Sequence, residues 1–95
     1  MAAAHHEWGF ITSHAAVLLE VNRNPQATVR EIAVSTGLTE RQVHRVLADL
    51  VEAEYVVRRR SGRRNEYSVM RGMPMRRSSV AHHQIDQLLE ALSPR

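Results

Sequence analysis

The spacing of apolar residues along this 95-residue chain changes twice. Up to about residue 53, apolar side chains recur three or four positions apart, which is typical of helices that bury one face. From about 55 to 69 they alternate with polar residues, which indicates strands. Helical spacing returns from about residue 80. We therefore predict three helices, a β-hairpin and a final helix, a mainly α arrangement within the α+β class.

The first predicted helix lies within HAAVLLEVNRN. It ends at Asn24, because Pro25 disfavours helical geometry in the residue before it. Its start can be capped by Thr12 or Ser13, whose hydroxyls can accept from free backbone N–H groups. A short strand is predicted at residues 26–28, directly before the second helix.

The second and third predicted helices begin with the same signature. Thr28 with Glu31, and Thr39 with Gln42, have the spacing of a capping box. Between them, Gly37 can adopt the left-handed conformation that ends a helix. The third helix is predicted over about residues 40–53, with one buried stripe formed by Val43, Val46, Leu47 and Leu50.

Two alternating runs surround the segment SGRR and predict an antiparallel hairpin, with Gly62 at a turn position that needs positive φ. Two short helices joined by TGLT form a helix-turn-helix, in which the third helix is the recognition helix. A hairpin directly after that helix makes the arrangement a winged helix-turn-helix with a two-stranded wing. We predict that the recognition helix enters the major groove of DNA and that the wing reaches the backbone or minor groove.

The final helix is predicted over residues 80–92, with one apolar stripe that needs a partner. The stripe can fold back on its own domain, or it can pair with the same helix of a second subunit. The predicted dimerisation set joins this stripe to two aromatic residues near the N-terminus: Trp8, Phe10, Ile85, Leu88, Leu89 and Leu92. The predicted division is a loose N-terminus (1–7), a DNA-binding domain (8–77) and a C-terminal helix for dimerisation (78–95).

The basic residues are all arginine and are unevenly distributed. Eight of the thirteen lie between residues 58 and 77, where Glu66 is the one acid. Such a local charge favours an anionic polymer as the partner. Arginine also presents a planar fork that grips phosphate or guanine through two hydrogen bonds. The alternative is a solvated loop in an arginine-rich protein.

Candidate DNA-binding residues lie on the recognition helix and on the wing. On the helix they occupy the N-terminal half, opposite the buried stripe, which is the part that reads base edges in such helices: Thr39, Arg41, Gln42, His44 and Arg45. On the wing they are Arg58, Arg60, Arg63 and Arg64. For the helix, the alternative is a solvated face with internal pairs such as Arg45–Asp49, four residues apart.

Other classes of function find little support. The chain lacks cysteine, which fits a cytoplasmic protein and leaves no thiolate site. It has no nucleophile–base pair, paired carboxylates or phosphate-binding glycine loop, so we predict no enzyme and no cofactor. No apolar run is long enough to cross a membrane. His82, His83, Asp86 and Glu90 suggest a metal site, but adjacent helical residues point about 100° apart, so no metal is predicted.

The segments WGFITSHAAVLL, REIAVSTGLTERQVHRVLADLVEAEYV and GRRNEYSV resemble the MarR-like winged helix-turn-helix transcriptional regulators, and most closely their short, stand-alone members. The resemblance covers about residues 8–89. It implies that Thr39 to Arg45 belong to the recognition helix and that Arg63, Arg64 and Asn65 belong to the wing. It also implies a homodimer on a near-palindromic operator. One departure is AEY in place of the commoner AGY before the first wing strand.

The function predicted from residues and resemblance together is a sequence-specific regulator that binds double-stranded DNA, acting as a repressor. The alternative is a winged-helix module for protein–protein or RNA contacts. Larger members of the family hold a small effector between longer terminal helices. A single helix after the wing offers little room for such a pocket, so no effector is predicted, although the sequence does not rule one out.

Overall fold

The computed structural model describes residues 9–93, and Trp8 therefore lies outside the described residues. The elements follow the predicted order and form a winged helix fold. They are the helices α1 (Ser13–Arg23), α2 (Val29–Thr36) and α3 (Glu40–Glu52), the strands β1 (Val56–Ser61) and β2 (Arg64–Val69), and helix α4 (Ile85–Leu92).

A single core lies among the first three helices and the base of the hairpin. Val17 and Val21 of α1, Ile32 of α2 and Leu47 of α3 are almost completely buried in it. The stripe predicted on α3 is confirmed, since all four of its residues are buried. Each fully buried side chain of this kind contributes about 1.5–3 kcal/mol relative to an exposed one. The polar face of α3 is therefore held in a defined direction, away from the core.

The start of each helix is fixed by the residues that the sequence indicated. The Thr12 hydroxyl accepts from the N–H of Ala15 and caps α1. Both predicted capping boxes are present, at the starts of α2 and α3. Gly37 has φ of 78° and ends α2 in the left-handed region, where a glycine is not strained. These local contacts set the tight turn between α2 and α3.

The hairpin formed by β1 and β2, called the wing below, is antiparallel and closes with Ser61 opposite Arg64. Gly62 has φ of 63°, and among residues 9–93 Arg63 is not one of the positive-φ positions. That combination fits a two-residue type II′ turn, which suits the twist of a hairpin.

The short strand predicted at residues 26–28 does not form. Instead, the loop between α1 and α2 meets β2 through single contacts. The Pro25 carbonyl accepts from the N–H of Tyr67 at 2.8 Å, and the Gln26 carbonyl accepts from the Arg64 guanidinium at 2.7 Å. A side chain thus makes the second contact that a backbone ladder would have made, so the loop stays irregular.

The last helix begins five residues later than predicted, at Ile85 and not at Val80. The chain before it pairs with itself, because the Met75 N–H donates to the His83 carbonyl at 2.9 Å and the Ile85 N–H donates to Met73 at 2.8 Å. These bonds satisfy backbone groups that a longer helix would have used internally.

Helix α4 packs on its own protomer, mainly against α1. Ile85 and Leu89 are buried in the common core, whereas Leu88 is half-buried and Leu92 is 44% exposed. For Ile85 and Leu89 the structure therefore corresponds to the first alternative, a stripe folded back on its own domain.

Candidate nucleic-acid interface

The outward face of α3 carries exposed basic side chains in its N-terminal half. Arg41, His44 and Arg45 are all exposed, and none of them makes a hydrogen bond or ion pair within residues 9–93. The internal pair proposed for Arg45 is not present. Its supposed partner, Asp49, instead contacts Nε2 of His14 on α1 at 2.8 Å. The guanidinium groups of Arg41 and Arg45 are thus available to a ligand.

Gln42 is engaged by its own helix. Its Oε1 accepts from the backbone N–H of Thr39 at 2.9 Å and from the Thr39 hydroxyl at 3.2 Å. Reading adenine would need both the oxygen and the NH₂ group of the amide. In this conformation, Gln42 therefore shapes the start of the recognition helix, and Arg41 and Arg45 are better placed for contact with bases.

The acidic residues of α3 are placed away from this cationic surface or are neutralised. The Glu40 carboxylate lies 3.6 Å from Nε of Arg30 on α2. Asp49 faces α1, and Glu52 lies at the C-terminal end. The N-terminal half of α3 thus combines free backbone N–H groups with unpaired arginines, and both attract phosphate.

The wing carries a second set of arginines, which differ in whether they make contacts within the protein. Arg58, Arg59 and Arg63 are exposed and have no partner in the part of the chain that the structure describes. The Arg60 Nε donates to the Gly62 carbonyl at 3.0 Å, which braces the turn. Asn65 is half-buried in β2. The tip and the β1 edge are accordingly the cationic parts of the wing that are open to a ligand.

Arg64 differs from its neighbours because it points back at the helices. Its Nη1 donates to the Gln26 carbonyl and lies 3.5 Å from Oε1 of Glu31 on α2. The Thr28 backbone N–H, with a further contribution from the Arg64 guanidinium, holds the pKa of Glu31 below its ordinary value. Sequence reasoning placed Arg64 among the DNA contacts and missed this link. The capping box indicated only the local role of Glu31, and its contact with Arg64 spans more than thirty residues.

The dimerisation set divides into buried and exposed members. Ile85 and Leu89 lie in the protomer core, while Phe10 is 94% exposed and Leu92 is 44% exposed. Phe10 lies three residues before α1, the helix on which α4 packs. Among the described residues of the predicted set, the most exposed members therefore lie on the edge of α4 and on the segment that leads into α1.

The histidine-rich segment near α4 makes structural contacts. His83 Nδ1 lies 2.9 Å from Oε1 of Gln87, and the Asp86 carboxylate accepts from the N–H of Gly72 at 2.8 Å. Within residues 9–93, no three histidine or acidic side chains form a group that could hold a metal ion. Over the same residues, no helix combines the length and the apolar character that a bilayer crossing requires.

The sequence of this chain matches a known protein family. A family model described as MarR family matches residues 8–64, from the segment before α1 to the first residue of β2. The chain belongs to the MarR family. Membership places it among DNA-binding transcription regulators and confirms the resemblance drawn from the sequence. Among curated proteins, the search found no match.

The structure also shows what conformation is needed where this chain has AEY in place of the commoner AGY of MarR-like proteins. Glu54, which occupies the glycine position, has φ of 70°. A left-handed backbone costs a residue with a side chain about 1–2 kcal/mol, whereas glycine adopts it readily. The joint between α3 and β1 needs this conformation, and here a glutamate adopts it.

Proposed function

We propose that the protein is a repressor that binds specific double-stranded DNA sequences, with α3 in the major groove and the wing on the flanking backbone or minor groove. The observation that carries the proposal is the set of exposed arginines on these two successive elements that have no partner within residues 9–93. They are Arg41 and Arg45 on α3, and Arg58 and Arg63 on the wing. An arginine fork can bond to guanine or to phosphate without first giving up an internal partner.

Within α3, base reading is assigned to Arg41 and Arg45, with His44 between them. N-terminal residues of recognition helices contact base edges. Thr39 and Gln42 complete the helix start, where free backbone N–H groups can hold a phosphate oxygen. The wing arginines contact phosphate, which strengthens binding to every sequence alike.

A homodimer on a near-palindromic operator is part of the proposal. It is supported by exposed apolar surface at Leu92 and by the half-buried Leu88 on the C-terminal element. A two-fold dimer places two recognition helices about 34 Å apart, one turn of DNA. Analytical ultracentrifugation at micromolar concentration is expected to give a dimer, and a strict monomer would contradict the palindrome.

The primary test is selection of bound duplexes from a random pool. We expect an enriched near-palindromic consensus. Absence of enrichment would contradict sequence-specific binding and would favour the alternative, a module for protein or RNA contacts. Competition by unrelated duplex DNA then separates specific from general affinity.

The wing assignment is tested by the salt dependence of binding. Arg58→Ala/Arg63→Ala should weaken binding to all duplexes and reduce the slope of log K against log[salt] by about 0.9 for each lost phosphate contact. The matched control is Arg76→Ala/Arg77→Ala, which removes the same charge from the exposed loop before α4. Equal slopes in the wing variant and the wild type would contradict the assignment.

A further inference from the structure

We propose that Glu31 is a positioning residue for DNA binding, because it holds the tip of the wing, through Arg64, in a fixed relation to the recognition helix. The inference rests on the proposed function and deepens it. It assigns Arg64 to the internal support of the wing and not to phosphate contact. It also gives a functional role to a residue that touches no DNA.

The ties between the wing and the helices run along β2. Near the base, the Tyr67 N–H donates to the Pro25 carbonyl at 2.8 Å. Near the tip, Arg64 Nη1 lies 2.7 Å from the Gln26 carbonyl and 3.5 Å from the Glu31 carboxylate. Arg64 pairs with Ser61 across the turn, so its guanidinium anchors the residues that carry the tip.

The position of the anchoring carboxylate is set by the start of α2. Oε1 of Glu31 accepts from the Thr28 N–H at 2.9 Å, and the same oxygen faces Arg64. The turn between α2 and α3 is short and ends in a second capping box. The wing tip is therefore attached to α2, and the short turn after α2 fixes the orientation of α3. The tip and α3 are thus held by the same part of the fold.

The link acts on orientation more than on stability. The Arg64 and Glu31 side chains are 49% and 53% exposed, and exposed ion pairs stabilise a fold very little. A two-stranded ribbon is, however, only marginally ordered by itself. Ordering it upon binding would weaken affinity, because each immobilised side chain loses conformational freedom, so a tip that is already held binds DNA more tightly.

Because Glu31 is charged, electrostatics and loss of the wing support predict opposite effects of Glu31→Gln on DNA affinity. Glu31→Gln removes a negative charge, which by electrostatics alone strengthens binding to DNA. Loss of the wing support weakens it. Glutamine can replace glutamate at this position of a capping box, so the start of α2 is preserved. Glu40→Gln is the matched control, because it makes the same charge change in the first turn of α3, where the partner is Arg30 and not the wing.

The binding test measures affinity and salt slope for a selected duplex. We expect Glu31→Gln to weaken binding by about threefold to tenfold, as loss of one or two ordered side chains predicts, with an unchanged slope. Glu40→Gln should bind as tightly as the wild type or more tightly. Arg64→Ala should weaken binding at least as much as Glu31→Gln, because it also removes the bond to the Gln26 carbonyl, and the double variant should lose no more than Arg64→Ala alone. The inference is overturned if Glu31→Gln strengthens binding, or if Arg64→Ala reduces the slope by a full phosphate contact.

A second readout does not depend on DNA. In the free protein, ¹⁵N relaxation of the Gly62 and Arg63 amides should show lower order parameters in Glu31→Gln than in the wild type or in Glu40→Gln, while the melting temperatures stay equal. Unchanged order parameters would overturn the inference. If the wild type itself failed to bind any duplex, the proposed function would fail, and relaxation would still decide whether Glu31 holds the wing.

Discussion

Helices α2 and α3 are built to the same plan and differ in where they carry charge. Each starts with a threonine capping box and ends near a left-handed residue, Gly37 after α2 and Glu54 after α3. The third residue of the box is the anionic Glu31 in α2 and the neutral Gln42 in α3. The same type of capping box thus supports two helix starts of different charge.

The difference separates a supporting helix from a binding helix. A carboxylate at a helix N-terminus is favourable for the helix dipole, and in α2 it also holds Arg64 of the wing. In α3 the amide of Gln42 completes the same hydrogen bonds without a charge. The N-terminus of α3 consequently stays open to phosphate, and its one first-turn acid, Glu40, faces Arg30.

The largest effect is expected from Gln42→Glu, which gives α3 the charge of α2. The box survives, because glutamate serves equally well there. DNA affinity should fall by about a hundredfold, since like charges opposed across an interface cost several kcal/mol. Gln87→Glu in α4, the same change at the corresponding position of that helix, is the control for binding titrations. Equal affinity of Gln42→Glu and Gln87→Glu would contradict the placement of α3.

Arg45→Ala removes a base contact and leaves both helix starts intact. The expected loss is about tenfold, within the 1–3 kcal/mol that a bidentate base contact contributes. Selection with the variant should also show relaxed preference at one position in each half-site. Arg77→Ala should retain the full consensus. An unchanged consensus for Arg45→Ala would mean that Arg45 contacts the DNA backbone or only solvent, and that it does not contact a base.

Glu54→Gly gives the end of α3 the residue that ends α2. Relief of the left-handed strain should exceed the entropic cost of glycine and stabilise the fold by about 0.5–1 kcal/mol. Thermal unfolding measures this effect. Gly37→Ala should have the opposite effect and destabilise the protein, because Gly37 has φ of 78°. A lower melting temperature for Glu54→Gly would mean that the glutamate side chain makes a contribution of its own.

The smallest effect concerns pH. The folded-state pKa of Glu31 is lowered, first by the Thr28 N–H and also by Arg64. Its ionised form therefore contributes stability above the ordinary glutamate pKa of about 4.3, and that contribution is lost as pH falls through the lowered value. Between pH 6 and 3, the melting temperature should decline less steeply in Glu31→Gln than in the wild type. Parallel curves would show that ionisation of Glu31 contributes nothing to stability.

The elements that rest on local patterns could be predicted from the sequence. The capping boxes, the buried stripe of α3 and the turn at Gly62 each depend on residues within one or two turns of one another, and all are present. The cationic surface of the wing was also predictable, because its arginines lie in a stretch with one acid, Glu66.

The features that sequence reasoning missed depend on distant contacts. Helix α4 was predicted to start at Val80, but pairing of Met75 with His83 takes up that backbone. The alternative for α3 pairs Arg45 with Asp49, whereas Asp49 contacts His14, thirty-five residues away. The role of Arg64 depends on Glu31, which only the folded chain brings close. Spacing along the sequence carries no signal for any of these pairs.

The most direct test of the central claim exchanges the two box residues in one protein. Glu31→Gln/Gln42→Glu keeps composition, net charge and both capping boxes, so the melting temperature should stay close to that of the wild type. Its affinity for the selected duplex should fall by at least about a hundredfold, because the anion then sits at the DNA-facing helix start and the wing tip is released. If the exchanged protein bound that duplex as tightly as the wild type, α3 would not be the DNA-contacting helix.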